Sequence, residues 1–291
     1  MNKKIIIPII LIAIGAFIYY QTSQTKTTNT EIISTSDTSV TDAVHDHSAS
    51  AKDAISAGTR IIVKNDLFQT GNQTISFDLY AKNGNVISNT DLNIVHEKKM
   101  HAIIASSDFS DYQHVHPEFK EGSWQMPVTL MNNTMYQVYI DISSDAGGQE
   151  TLRFPINVGD PQFSSKVSQR EIILTQDAIS VELVSNNEFM AGKDILISFN
   201  ISQDGKSIIP ENYLGKKVHV VALGNDPNTY VHGHPIDNEN EDITVALNFN
   251  KGGIHTLFVE LQVMGVVRIF PFTVFIADAL NTHDESVPHS H

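Results

Sequence analysis

Hydrophobic and polar positions follow a two-residue rhythm through most of this chain. "TISFDLYAK" (74–82), "MYQVYIDIS" (135–143), "TLRFPINV" (151–158), "DILISFNIS" (194–202) and "DITVALNFN" (242–250) are short runs rich in β-branched and aromatic residues, and several alternate apolar with polar. That alternation marks strands with one buried face. Turn-forming clusters separate the runs, among them "KNGN" (82–85), "EGS" (121–123) and "DAGG" (145–148). No stretch has the period of an amphipathic helix longer than two turns. The pattern predicts an all-β protein with two sandwiches of about seven strands each, at 58–160 and 168–278, joined within "GDPQFSSKVSQ" (159–169).

The ends read differently. Lys3 and Lys4 precede the uncharged run "IIIPIILIAIGAFIYY" (5–20), which closes on a tyrosine pair suited to a membrane interface. Residues 1–20 are therefore expected to be a membrane anchor or a signal segment; "AIG" (13–15) is only a weak cleavage site, which favours an uncleaved anchor. Residues 21–57 are dominated by Ser and Thr and read as a disordered linker, because they hold too little apolar surface to offset the entropy of ordering. Histidines stand in that linker (His45, His47) and in the flexible tail 279–291 (His283, His289, His291).

The two halves repeat one another. "KMHAIIASSDFSDYQHVHP" (99–117) aligns without a gap on "KVHVVALGNDPNTYVHGHP" (217–235), with seven of nineteen positions identical. Apolar positions have drifted, as at Ile103 and Val221. His101/His219, Asp108/Asp226, Tyr112/Tyr230, His114/His232 and His116/His234 are the same. A shared fold alone would preserve apolar alternation and let the polar positions vary, so the repeat points to a polar constellation retained in each half.

Strand geometry turns that spacing into a site. Side chains two apart share a face, so His114 and His116 lie in one row, as do His232 and His234. A loop formed by "SSDFSD" would bring His101 on the preceding strand to face them, and His219 would do the same in the second half. One metal site per domain is expected, built from His101, His114 and His116 and from His219, His232 and His234. Asp108 and Asp226 are the candidates for a fourth ligand or for a partner behind the ligands. Imidazole ligands suit Cu(II), Zn(II) or Ni(II). His/Tyr clusters can instead form a fold-stabilising polar network in a structural or adhesion module. His96 and His255 have no counterpart in the other half and read as strand-surface or core-edge residues.

Overall charge and composition narrow the classes. The net charge of −14, from 33 acids against 19 bases, opposes nucleic-acid binding. The absence of cysteine removes disulfides, thiolate metal sites and thiol catalysis. A three-histidine site could serve a metal-dependent hydrolase, but no separate general base, nucleophile elbow or phosphate loop stands out, and the protein is not read as an enzyme.

The segment "KMHAIIASSDFSDYQHVHPEF" resembles an MH…DxS…HxHP phrase of bacterial exported β-sandwich proteins, the YtkA-like or copper-resistance periplasmic modules. The resemblance covers about twenty residues per half and falls on Met100, His101, Asp108, His114, His116 and Pro117; Val218 and Asn228 depart from it in the second copy. It implies two tandem immunoglobulin-like β-sandwich domains outside the cytoplasm and a role in handling a heavy metal, most often copper. The combined expectation is a single-pass, membrane-tethered protein with extracytoplasmic domains, or a secreted one if the signal is cleaved. It would bind a copper or zinc ion and serve a metal-transport or assembly partner protein. By the positive-inside rule Lys3 and Lys4 face the cytoplasm, so protease added to intact cells or spheroplasts should digest residues 21–291. Full protection would contradict this topology.

Overall fold

Alternating runs become paired strands, and the Gly- and Asn-bearing clusters become the turns between them. The computed structural model describes residues 53–55, 58–161, 170–185, 189–236 and 243–278. The first half holds β1 (Asp53–Ile55), β2 (Arg60–Val63), β3 (Gly71–Tyr80), β4 (Met100–Ser106), β5 (Tyr112–Val115), β6 (Glu118–Lys120), β7 (Ser123–Leu130), β8 (Met135–Ser144) and β9 (Gly148–Asn157). The second holds β10 (Ile173–Gln176), β11 (Ile179–Val184), β12 (Asp194–Gln203), β13 (Lys206–Ser207), β14 (Val218–Gly224), β15 (Tyr230–Pro235), β16 (Thr244–Asn248), β17 (Gly253–Val263) and β18 (Val266–Ile276). No helix occurs among the described residues. Each half thus has more strands than the seven expected, because short edge strands join the main ones. The first of them, β1, pairs with β2 from inside the stretch read as linker. The segment 1–20, most of 21–57, residues 162–169 of the junction and the tail 279–291 lie outside the described residues.

Both halves are immunoglobulin-like β-sandwiches. In the first, the sheet β1-β2-β3-β7-β6 packs on the sheet β5-β4-β8-β9. The core between them includes Ile75, Phe77, Leu79, Trp124, Met126, Ile140 and Phe154. The second half has a matching core around Ile197, Phe199, Val245, Leu257, Phe270 and Phe272. Its sheets are joined into one path because β15 pairs first with β14 and then, at His234 and Pro235, with β16. In the first half the equivalent stretch breaks after Val115: β5 pairs with β4, and β6, beyond Pro117, pairs with β7. The HxHP phrase therefore marks the corner where the chain leaves one sheet for the other, a place where proline's missing N–H costs no ladder bond.

Two strands break the alternation. Every residue of β4 and of β14 is buried. One face of β4 (Met100, Ala102, Ile104) joins the first core, and one face of β14 (Val218, Val220, Ala222) joins the second. The opposite faces meet each other. Ile103, Ala105 and Tyr139 pack with Val221, Leu223 and Phe258 in a third apolar cluster that links the two domains. A sheet covered on both sides needs apolar residues at successive positions, which "HAIIA" and "HVVAL" supply.

Within the first core, Trp124 is 1% exposed and donates Nε1–H to the Ile87 carbonyl at 3.0 Å. Trp124→Ala should destabilise the protein by about 3–5 kcal/mol, measured as a lowered midpoint in urea unfolding. A change under about 1 kcal/mol would contradict this packing.

Candidate metal centre

Register brings the first triad together. Ala102 pairs with Val115 and Ile103 with His114 in the antiparallel β4–β5 ladder, so His101 stands opposite His116. The face of β4 that carries His101, Ile103 and Ala105 is the one turned toward the second domain. Ligand-capable atoms of His101, His114 and His116 all lie within 4.8 Å of one another. The ring centroids are 5.3 Å apart for His101 and His114, 4.9 Å for His101 and His116, and 5.0 Å for His114 and His116.

Hydrogen bonds behind the rings decide which nitrogens face inward. His101 Nε2 donates to the Val95 carbonyl at 2.9 Å. Its Nδ1 is then a lone-pair nitrogen, and it faces His114 Nε2 at 3.1 Å. His114 in turn commits Nδ1–H to the Glu260 carboxylate, at 3.0 Å from Oε2 and 3.2 Å from Oε1. In neutral imidazoles the two facing nitrogens both carry lone pairs. Only a cation reconciles them, either a second proton on one ring or a metal ion. Two nitrogens bound at about 2.0–2.1 Å to one tetrahedral ion stand roughly 3.3 Å apart, close to the separation seen. His116 Nε2 is buried without a hydrogen-bond partner. His219 repeats the arrangement of His101: its Nε2 donates to the Tyr213 carbonyl at 2.8 Å, and its Nδ1 is buried without a partner.

Glu260 belongs to the other domain, and this exchange is reciprocal. Glu260 sits on β17 opposite His219, and Asp141 sits on β8 opposite His101. Tyr112 Oη donates to Glu260 at 2.6 Å, beside the His114 bond. Across the pseudo-symmetric contact, His232 Nδ1 donates to Asp141 Oδ2 at 2.9 Å and Tyr230 Oη donates to the same oxygen. Aromatic stacking backs each pair: Tyr112 lies on Phe258 with centroids 3.9 Å apart, and Tyr230 lies on Tyr139 at 4.5 Å. Each carboxylate therefore adjoins its own domain's first histidine in the sheet and holds the partner domain's second histidine.

The electrostatics follow from burial. Burial pushes the His101 and His219 pKa values down to about 4, and that of His116 to about 2, with neighbouring imidazoles adding to the His116 shift. These rings are neutral, the form that binds metal. Burial pushes the Asp141 and Glu260 carboxyls up, but the bonds and charge of His232 on Asp141, and of His114 on Glu260, outweigh it and hold both below the usual range. Burial and the adjacent carboxylates raise Tyr112 and Tyr230 well above the normal phenol value, which keeps them as neutral donors. Two buried carboxylates thus hold His114 and His232 beside the neutral rings of His101, His116 and His219.

The arrangement differs from one separate site per domain. The His232 ring is 5.9 Å from both His101 and His114, and the His219 ring is 6.3 Å from His114. The histidines of both halves form one cluster across the domain boundary. His234 is in β15 at the β16 crossing; its side chain lies outside the described residues. The loop aspartates have another task. Asp108 accepts from the Ser106 and Ser110 hydroxyls at 2.8 and 2.7 Å and from Ser110 N–H at 3.1 Å. Asp226 accepts from Asn228 N–H at 3.0 Å and Nδ2 at 2.8 Å, and pairs with Lys251 at 3.2 Å. They close the turns after β4 and β14, and neither belongs to the gathered histidine group. His255 is buried and packs on Phe249 at 4.9 Å. His96, expected as a strand-surface or core-edge residue, is half-buried on a left-handed turn with φ of 47° and its ring 5.8 Å from His219. The sequence reading missed His96, Asp141 and Glu260. A signal existed for the two acids, each a lone charge inside an apolar strand run, in "VYIDI" and "FVELQV".

No curated protein matches the sequence. Solved structures similar to it include the fibronectin(III)-like modules of CbhA from Clostridium thermocellum, at 13% identity over 79% of this chain and 100% of that one, TM-score 0.23. The D00-D0 domain of Intimin matches at 13% identity over 76% and 100% of the two chains, TM-score 0.21. A conserved domain protein from Bacillus anthracis matches at 11% identity over 78% and 89%, TM-score 0.22. A family model matches the sequence twice, each time over one sandwich. The chain therefore belongs to the family described as "Domain of unknown function (DUF8832)", whose domain it carries at residues 53–160 and 174–278.

Proposed function

We propose that this protein binds a transition-metal ion, copper or zinc, in the histidine cluster between its two domains, and handles that ion outside the cytoplasm while tethered through residues 5–20. One observation carries the reading: His101 Nδ1 and His114 Nε2 face each other at 3.1 Å while their other nitrogens are committed to a carbonyl and a carboxylate. An imidazole whose far N–H is held by a carboxylate is the usual form of a metal-bound histidine, because the bond fixes the tautomer and raises ligand basicity. His114 with Glu260 and His232 with Asp141 both have that form. The two carboxylates would also offset the charge of a divalent ion. Imidazole ligands without thiolate favour Cu(II) by the Irving–Williams order and accommodate Zn(II). The resemblance to copper-resistance modules supports copper. The role proposed is binding and delivery to a partner protein rather than catalysis.

A purely structural role explains His114 and His232, whose bonds to Glu260 and Asp141 clasp the domains. It gives no reason for His116 Nε2 or His219 Nδ1 to be buried without partners, since such groups cost free energy. The separating variant is therefore His116→Ala. In the apo protein it should leave the melting temperature unchanged or slightly raised. It should also abolish the rise in melting temperature that a saturating Cu(II) or Zn(II) concentration gives the parent. The parent and variant should begin after His47 and end before His283, so that the outlying histidines do not bind metal. A parent that binds neither ion tighter than about 10 μM, about 7 kcal/mol, would leave the structural role as the answer. Glu260→Gln, by contrast, should weaken metal binding by about 10–100-fold and destabilise the apo protein as well.

The apo protein should also lose stability in acid. His101, His116 and His219 have folded-state pKa values below the roughly 6.5 of a free imidazole, so the unfolded chain takes up protons first as the pH falls. Their contribution is complete above about 6.5 and is lost progressively below it, with His101 and His219 accounting for the loss down to about 4. Urea midpoints measured from pH 8 to pH 5 should fall, and a flat profile would contradict the buried neutral rings.

A further inference from the structure

The repeat is broken at one position that faces the cluster. Val95 and Lys98 bridge a tight turn before β4, and Tyr213 and Lys216 bridge the equivalent turn before β14. Both turns put their two central residues in the left-handed region: His96 and Glu97 at φ 47° and 64°, Leu214 and Gly215 at 52° and 76°. The turns meet across the domain boundary, for a Cβ on Gly215 would stand 3.6 Å from the Glu97 carboxylate. The first copy thus has an imidazole where the second has a leucine. The His96 ring is 6.2 Å from His101 and 5.8 Å from His219, so it spans the first histidines of both domains.

His96 also stands where solvent reaches the cluster. A narrow cleft is lined by His96, His101, Asp141, Gln149 and His232. Gln149 is exposed and His96 half-buried, whereas His101 is 4% exposed. The walls of the cleft thus pass from water to the buried nitrogens. A divalent ion cannot cross from water into such a site without ligands on the way, because a desolvated, uncoordinated charge is very costly. A nitrogen at the mouth lets water be replaced one ligand at a time.

We propose that His96 is the transfer ligand of the centre, taking the ion at the mouth of the cleft and passing it to and from the buried imidazoles. This rests on the metal-binding reading above, and it assigns a route where that reading assigns only a resting place. The single copy of the imidazole gives the cluster one port, on the side of the first domain's turn. A ligand of this kind changes rates in both directions and leaves the equilibrium alone.

The test uses His96→Leu, the residue the second copy places in the same turn, and His96→Asn, which tolerates the left-handed backbone. Stopped-flow uptake of Zn(II), and its release to an excess of chelator, would be followed in the parent and both variants, with stoichiometry and affinity measured at equilibrium. Both variants should take up and release the ion about tenfold more slowly, an increase of roughly 1.4 kcal/mol in each barrier, with unchanged stoichiometry and affinity. Unchanged rates would overturn the proposal. Lost stoichiometry, or faster release with weakened affinity, would also overturn it, because either makes His96 a resident ligand. Absence of Zn(II) binding by the parent would instead remove the metal reading itself, and the proposal with it. If one variant fails to fold, the other gives the same reading.

Discussion

The carboxylate–imidazole bonds exchanged between the two domains are the interaction on which the rest of this structure depends. Glu260 is 2% exposed, and a charge so buried is tolerated only when paired and hydrogen-bonded. Its partners, His114 and Tyr112, come from the other domain, and His232 and Tyr230 do the same for Asp141. These bonds fix the docking of the sandwiches. They also fix the tautomers of His114 and His232 through their Nδ1 atoms, and they turn His114 Nε2 toward His101. Domain docking and the chemistry of the site are one set of contacts.

This explains why one chain contains two near-copies of a short phrase. Tyr-x-His-x-His-Pro docks onto the partner domain with its tyrosine and first histidine, and its proline marks the corner where the chain changes sheet. A sandwich alone would leave Glu260 or Asp141 without those donors and would expose Ile103 and Ala105, or Val221 and Leu223, to water. Duplication within one chain supplies both halves of the contact at fixed stoichiometry. Once duplicated, the copies could diverge wherever the symmetry was not needed, as at His96 and Leu214.

Much of this was legible in the sequence where the physics is local. Alternation along a strand places His114 and His116 on one face, and a short loop returns the chain beside His101, so the first triad follows from spacing alone. The all-β class follows from the same rhythm. The acids were harder to find because no local rule connects Asp141 to His232 or Glu260 to His114; those contacts span the domain boundary. The turn aspartates misled for the opposite reason. Their repetition came from the needs of a loop, in which a carboxylate accepts from the residue two positions on. The near-continuous apolar runs "AIIA" and "VVAL" are the readable sign that the strands carrying them are covered on both faces, as their unbroken burial shows.

The most direct measurement is the nitrogen NMR spectrum of the imidazole side chains, recorded with and without Zn(II). In the apo protein the proton should sit on Nε2 of His101 and on Nδ1 of His114, as their bonds to the Val95 carbonyl and to Glu260 require. Zn(II) should then shift His101 Nδ1, His114 Nε2 and His116 Nε2, leaving those two N–H groups in place. Opposite tautomers, or resonances indifferent to the ion, would contradict a metal centre held from behind by the partner domain.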